Sequence, residues 1–335
     1  MATITDPFLR TQLEERKHRL EDALVRAQEN ASVSQLLREV DSALERMGNG
    51  TYGICEECHD AIEKDRLLAD PLVRFCLDHL TAPERRRLEA DLELAARVQQ
   101  KLLPNKQLSV PGWCTHYHYE PLGPVSGDYC DLIPSENGAG GFLFLLGDVS
   151  GKGVAASMLM TRLHAMFRSL ATVDLPIDQL MGQANRLLCE STIADQFATL
   201  VCGRMSRTGD LEITGAGHCP VLALRNSDVA QLESTGMPLG MFSNAEYCLQ
   251  RTRLDPGDSL FLFTDGVTET RDPLGAEYGV DRLAKFVGER RALPPDALAA
   301  ACLHDLRTFS SGASRTDDLT LLVIRREEMP STMPA

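Results

Sequence analysis

No stretch of the 335 residues approaches the roughly 18 consecutive apolar residues of a helical membrane span. The N-terminus, MATITDPFLRTQLEERK, also lacks the apolar core of a signal peptide. Both absences predict a cytoplasmic chain with no membrane partner. Positive charge is scarce as well: 34 Lys and Arg stand against 48 Asp and Glu, a net charge of −14. Residues 1–106 carry 16 basic and 20 acidic side chains and the remainder 18 and 28, so neither part offers the basic face that direct nucleic-acid binding requires. The acidic second part would repel bare phosphate too, unless local metal charge overcame the repulsion. Cysteine is not lacking, and the ten in a cytoplasmic chain are expected to be reduced. Clustered ones then point to metal binding and scattered ones to burial.

The stretch FLFLLGDVSGKGVAA, Phe142 to Ala156, turns a strand into a helix. Five consecutive apolar residues, Phe142 to Leu146, are too short and too β-prone for a helix, and predict a buried strand ending at Gly147-Asp148. Gly147, Gly151 and Gly153 permit a tight turn, after which Val154 to Leu170 resumes helical spacing. A P-loop does not fit: G-x-x-x-x-G-K-[ST] needs Gly at 146 and Ser or Thr at 153, where the chain has Leu146 and Gly153. Asp148 falls on the rim of a sheet, and an ordinary solvated corner is the plain alternative. Two more apolar runs carry Asp at an end. SLFLFT (259–264) runs into Asp265-Gly266, and LTLLVI (319–324) follows Asp317-Asp318. Antiparallel placement would gather these carboxylates on one edge of a sheet. Asp128, in SGDYCD, is a fourth candidate. Crowded carboxylates repel unless hard cations neutralise them, and oxygen donors suit Mg²⁺ or Mn²⁺ rather than zinc.

SGDYCD (126–131), GDVSGKGVAASMLM (147–160), GAGHCPVL (215–222), TGMPLGM (235–241), FLFTDGVTET (261–270) and TDDLTLLVIR (316–325) resemble, in order and spacing over about 220 residues, the blocks of PPM-type serine/threonine phosphatases of the bacterial RsbU/SpoIIE group. The resemblance implies an α+β fold, an α-β-β-α sandwich with two Mn²⁺ or Mg²⁺ ions at one end of its sheets. It carries catalysis and metal ligation onto Asp128, Asp148, Asp265 and Asp317, with the Val149 carbonyl as a further ligand. Asp148 would bridge the two ions, Asp265 and Asp317 would complete one, and Asp128 would position the water shell of the other. The implied substrate is phosphoserine or phosphothreonine on a regulatory protein of the anti-sigma factor antagonist type. Two positions depart from the pattern. Ser126 stands where the family more often has Gly, and Lys152 stands where eukaryotic relatives have a His proposed as general acid. The second departure leaves protonation of the leaving group to water at the metal centre.

Upstream, Leu9, Leu13, Leu20, Leu24, Ala27 and Ala31 recur at helical spacing, and Ser32-Val33-Ser34-Gln35 has the form of a capping box. A second helix carries Leu36, Leu37, Val40, Leu44 and Met47 and ends at Gly48-Asn49-Gly50, so residues 1–49 predict an antiparallel hairpin. In residues 50–82, Cys55-x2-Cys58, then seventeen residues, then Cys76-x2-His79 has the spacing of two knuckles closing one tetrahedral zinc site. Four protein ligands leave no open position for water, and about 30 residues hold too little core to fold unaided, so the zinc is expected to be structural. His59 is a possible substitute ligand. The segment resembles the DksA/TraR zinc finger in its G-x-Y-G-x-C-x-x-C start and its RLLADP centre, with His79 where that family usually has Cys. In that family an acidic hairpin tip enters the secondary channel of RNA polymerase. Here the tip reads Gln28-Glu29-Asn30-Ala31, without paired aspartates, which argues against a polymerase-binding regulator.

Residues 83–106 form a connector. Leu88, Leu92, Ala95, Gln99 and Leu102 step by four and three, a two-heptad seam that would either pair with a second chain in a homodimer or pack on the chain's own domain. LELAARVQQKLLP looks like the connector that precedes the RsbU-type domain and transmits the state of a sensor. Residues 107–328 then make the phosphatase domain and 329–335 a disordered tail. Phe197 to Gly203 and Leu211 to Thr214 predict a hairpin, with His218 a structural or metal-edge residue. Arg204, Arg251 and Arg315 are candidate phosphate contacts. The whole reads as a metal-dependent phosphatase under an N-terminal zinc module, with a catalytically inactive scaffold as the rival from another class. The intact aspartates argue against that rival.

Overall fold

The computed structural model describes residues 7–26, 31–80, 82–105, 110–135, 141–173, 175–190, 196–225, 228–313 and 315–328. The chain divides into two compact units, Met1–Asp91 and Leu92–Ala335.

In the first unit, α1 (Pro7–Arg26) and α2 (Ala31–Asn49) form a hairpin. α2 begins one residue before Ser32, so that serine is the second residue of the helix and not its cap. The hairpin tip at 28–30 and the tail at 329–335 lie outside the described residues. Leu9 and Leu13 of α1 pack with Val40, Ala43 and Met47 of α2, and the same cluster takes in Tyr52, Cys55, Ile62, Leu67 and Cys76. The hairpin and the Cys/His segment therefore share one core. The Arg46 guanidinium also joins them, donating to the carbonyls of Val73 (3.4 Å) and Leu72 (3.5 Å). α3 (Lys64–Ala69) and a 3-10 turn (Leu77–His79) complete the segment, and α4 (Ala82–Leu102) runs through the unit boundary.

The second unit holds two five-stranded antiparallel sheets. One has the order β1 (Trp113–Glu120), β10 (Leu319–Arg326), β9 (Ser259–Phe263), β6 (Val221–Leu224), β7 (Val229–Leu232). The other runs β2 (Tyr129–Pro134), β3 (Phe142–Val149), β4 (Ala198–Met205), β5 (Asp210–Ala216), β8 (Gln250–Arg253). The unbroken apolar runs of β3, β9 and β10 arise because both faces of each sheet are covered. Phe144 and Leu146 face inward to Leu260, Leu262, Leu322 and Ile324 of the other sheet. Leu143 and Leu145 face outward, under Leu163 and Phe167 of α5 (Gly153–Leu170) and Leu180 of α6 (Ile177–Cys189). On the opposite outer face, Phe261, Phe263, Leu321 and Val323 pack against α8 (Val280–Glu289) and α9 (Pro295–Ser310). The layers are thus α-β-β-α. Each fully buried Leu or Phe contributes about 1.5–3 kcal/mol, and this alternation is what forces the strand ends into register.

Candidate metal centres

Register brings the aspartates to one end of the sandwich. Tyr129 of β2 pairs with Gly147 of β3, which places Asp128 beside the end of β3 that carries Asp148. Leu321 of β10 pairs with Phe263 of β9, which sets Asp317 and Asp318 next to Asp265 at the start of α7 (Asp265–Thr268). Asp148 and the Asp265/Asp317 pair belong to different sheets. The three carboxylates therefore meet across the end of two stacked sheets, a correction to the single sheet edge that strand polarity alone implies. Side chains stitch the sheets together here: the hydroxyls of Thr264 (3.0 Å) and Thr320 (2.5 Å) both donate to Asp128 Oδ2. Asp128 is 1% exposed.

The turn after β3 uses positive φ at Gly151 (93°) and Gly153 (70°), which an L side chain would resist. Gly127 lets the Asp128 loop lie against β3, since a methyl there would sit 3.2 Å from the Val149 carbonyl oxygen and 3.3 Å from Asp148 Oδ1. Burial, and then the neighbouring Asp148, push the Asp128 carboxyl well above the usual range. Burial followed by Asp265 and Asp317 lifts Asp148 to about 7, and burial followed by Asp317 raises Asp265. A carboxyl at about 7, as at Asp148, keeps part of its proton near neutrality unless a cation takes its place, and an all-oxygen donor set fits Mn²⁺ or Mg²⁺. Lys152 Nζ lies 2.8 Å from Asp317 Oδ2 and 2.5 Å from the Thr316 carbonyl oxygen.

The Cys/His segment closes more tightly. Among the described residues, the one group of three or more Cys, His, Asp or Glu whose ligand atoms all lie within 4.8 Å of one another is Cys55, Cys58, Cys76 and His79. Among the described residues, no three carboxylates at the end of the sandwich come that close together. Cys76 Sγ is 3.2 Å from His79 Nδ1 and 3.7 Å from Cys58 Sγ. Burial pushes the Cys55 thiol up, but the backbone N–H groups of Cys58, Cys76 and Glu57 outweigh it and leave Cys55 at about 6. At Cys58 the Asp60 N–H lowers the value, and burial with the Cys55 and Cys76 sulfurs carries it to about 11. Thiols split in this way ionise together only when a thiophilic cation compensates their charge, which is the chemistry of zinc. His59, exposed and at a φ of 60°, stands outside the group.

Other candidates sort by position. His218 is buried, with Nδ1 2.8 Å from Thr199 Oγ1, and burial lowers it to about 4, so it is neutral. Asp131, in the same block as Asp128, is fully buried and receives two bonds from Arg168 (2.8 and 2.6 Å). Arg204 and Arg251 line a cavity of about 790 Å³ with Phe142, Met205 and Leu211, at the far end of β3 from Asp148. Arg315, two residues before Asp317, donates to the carbonyls of Glu120 (3.0 Å) and Pro121 (2.9 Å). Sequence reasoning passed over Asp318, whose carboxylate accepts from the N–H groups of Leu122 (2.6 Å) and Gly127 (2.9 Å). The paired Asp317-Asp318 was the available signal. It passed over Thr264 and Thr320 as well, for which no local signal exists.

The seam of α4 also turns inward. Gln99 is 4% exposed and hydrogen-bonded to Ser126, while Leu102 and Leu103 pack on the outer and inner clusters of the second unit. The C-terminal half of the heptad seam therefore lies on the chain's own domain.

The chain matches the SiaA-PP2C domain of Pseudomonas aeruginosa with a TM-score of 0.65 at 21% identity, over 74% of this chain and 100% of that one. Layers, strand-end aspartates and this match define the class: a PP2C-type phosphatase fold, here in a chain that also carries a zinc-finger segment. Within that class the chain belongs to the SpoIIE family, for residues 138–327 match Stage II sporulation protein E (SpoIIE). Residues 50–78 match the prokaryotic DksA/TraR C4-type zinc finger, and His79 lies just past that match. The chain is 26% identical over 246 residues to the phosphoserine phosphatase RsbU of Bacillus subtilis, covering 72% of each. It is 27% identical over 265 residues to protein IcfG of Synechocystis sp., which covers 70% of this chain and 41% of IcfG. The chain thus spans about two fifths of that relative. No helix among the described residues is long and apolar enough to cross a membrane.

Proposed function

We propose that this protein is a Mn²⁺- or Mg²⁺-dependent protein serine/threonine phosphatase acting on a phosphorylated regulatory protein, under the control of its zinc-binding unit. The observation that carries this reading is the convergence of Asp148, Asp265 and Asp317, from two sheets, into one site where burial and mutual repulsion raise the first two. Those three side chains would hold the cations, with Asp128 and the Val149 carbonyl beside them. When bound, such cations lower the pKa of water and offset charge on phosphoryl oxygens. Lys152 is held by Asp317, and that hydrogen bond raises its pKa. It therefore stays charged at neutral pH, attracting a phosphate dianion instead of giving up a proton to a leaving group. Burial and Asp265 push the nearby Cys219 thiol to about 12, which removes it as a nucleophile. The 26% identity to a phosphoserine phosphatase supports phosphoserine as the substrate group, and the motif blocks that resemble the RsbU/SpoIIE group extend the reading to phosphothreonine and to a regulatory protein of the anti-sigma factor antagonist type.

Hydrolysis of p-nitrophenyl phosphate and of a phosphoserine peptide, each with Mn²⁺ and with EDTA, tests the reading. Turnover should require the cation and fall at least a hundredfold in Asp265→Asn with the fold intact. Full turnover in chelator, or a wild-type rate in Asp265→Asn, overturns it.

A further inference from the structure

Ser126 sits two residues before Asp128, and its side chain is fully buried. Gln99 of α4 satisfies both of its backbone groups: Gln99 Nε2 donates to the Ser126 carbonyl (2.6 Å), and Gln99 Oε1 accepts from the Ser126 N–H (3.0 Å). The amide thus closes the kind of reciprocal pair that two backbones make in a sheet. Ser126 Oγ in turn accepts from the Asp128 N–H (3.0 Å), and the Gly127 N–H is held by Asp318 (2.9 Å). Of these four bonds that fix the turn from Ser126 to Asp128, one side chain from the connector helix supplies two. A buried N–H and C=O left unpaired each carry a full desolvation cost, so this turn keeps its shape only while a residue at 99 answers both groups.

We propose that Gln99 is a positioning residue for the carboxylate centre: through Ser126 the connector helix sets where Asp128, and the Val149 carbonyl beside Gly127, stand relative to Asp148. This rests on the phosphatase reading for its consequence but not for its geometry. Gln99 touches no reacting atom. Its effect is to be read in cation affinity and in the order of the turn, with the chemical step little changed once the site is filled. α4 also begins in the first unit, where Arg66 Nη2 lies 3.3 Å from its Glu84 Oε1.

Gln99→Met keeps volume and helix propensity and removes both hydrogen bonds. The apparent Mn²⁺ midpoint for p-nitrophenyl phosphate hydrolysis should rise roughly tenfold or more, the size typical of removing a partner behind a metal ligand. Rate at saturating Mn²⁺ should stay within about threefold of wild type, a split that general destabilisation would not produce. In the metal-free protein, hydrogen exchange at the Gly127 and Asp128 amides should quicken while that of β9 and β10 does not. Gln99→Asn, which keeps donor and acceptor on a side chain one methylene shorter, should be intermediate, and it carries the test if Gln99→Met does not fold. Unchanged Mn²⁺ midpoints and unchanged exchange in folded variants overturn the proposal. If wild type itself shows no Mn²⁺-dependent turnover, the phosphatase reading fails, and calorimetric Mn²⁺ binding with amide exchange still decides the role of Gln99.

Discussion

Asp148 shows how one residue ties site to stability. Burial and the facing Asp265 and Asp317 hold it at about 7, against 3.8 for a free carboxyl. The folded, metal-free protein therefore binds a proton here more tightly than the unfolded chain does. That contribution is fully present below about pH 4 and is lost as pH rises through about 7. Each tenfold gain in proton affinity is worth roughly 1.4 kcal/mol, so the effect is on the order of a few kcal/mol. In EDTA the melting temperature should fall between pH 5 and pH 8. Asp148→Asn should flatten that fall and raise stability at pH 8, and Mn²⁺ should restore wild type at pH 8 while leaving the variant unmoved. Fluorimetric melts across the pH series read this directly. Parallel slopes for the two proteins would show that charge repulsion at Asp148 is not what the cations relieve.

At the scale of elements, the site depends on how closely α7 approaches the start of β10. A methyl on Gly266 would lie 1.9 Å from the Asp318 carbonyl oxygen, a backbone atom that cannot swing aside. Gly266→Ala must push β10 and its Asp317-Asp318 pair away from Asp265. It should cost about 1–3 kcal/mol in urea unfolding and weaken Mn²⁺ binding together with it. Gly182, inside α6, has no heavy atom within 4 Å of such a methyl. Gly182→Ala should instead stabilise by about 0.5–1 kcal/mol through helix propensity, with Mn²⁺ binding unchanged. Equal effects of the two substitutions would mean that the approach of α7 to β10 is not a constraint on the centre.

For the whole molecule, the two units have separate cores, and only the first is closed by the Cys/His group. The hairpin shares that core, so zinc loss should loosen α1 and α2 as well as residues 50–80. Elemental analysis should find one zinc per chain, and Cys55→Ser should lose it. The variant's calorimetric trace should show the first unit's transition lowered or absent, with the second unit's transition in place. Hydrogen exchange should report lost protection at Val40 and Met47 but not at Phe144 or Leu322. Retention of a full equivalent of zinc in Cys55→Ser would refute the ligand assignment.

What the amino-acid order determined by itself is local. Consecutive apolar residues made β3, β9 and β10 legible because strands covered on both faces have no polar alternation to read, and their flanking aspartates were visible as the first polar residues at the rims. The Cys55-x2-Cys58 and Cys76-x2-His79 spacings were legible because a tetrahedral site constrains neighbours along the chain. Tertiary structure alone decided which sheet each aspartate stands on, since antiparallel polarity is satisfied equally by one sheet or by two. It also decided that Asp128 is held by Thr264 and Thr320, 136 and 192 residues away. Gln99 makes the point most sharply. Its heptad position is the same whether it faces a second chain or its own domain, and what turned it inward is the pair of unanswered backbone groups on Ser126, which exist only once the sandwich has formed.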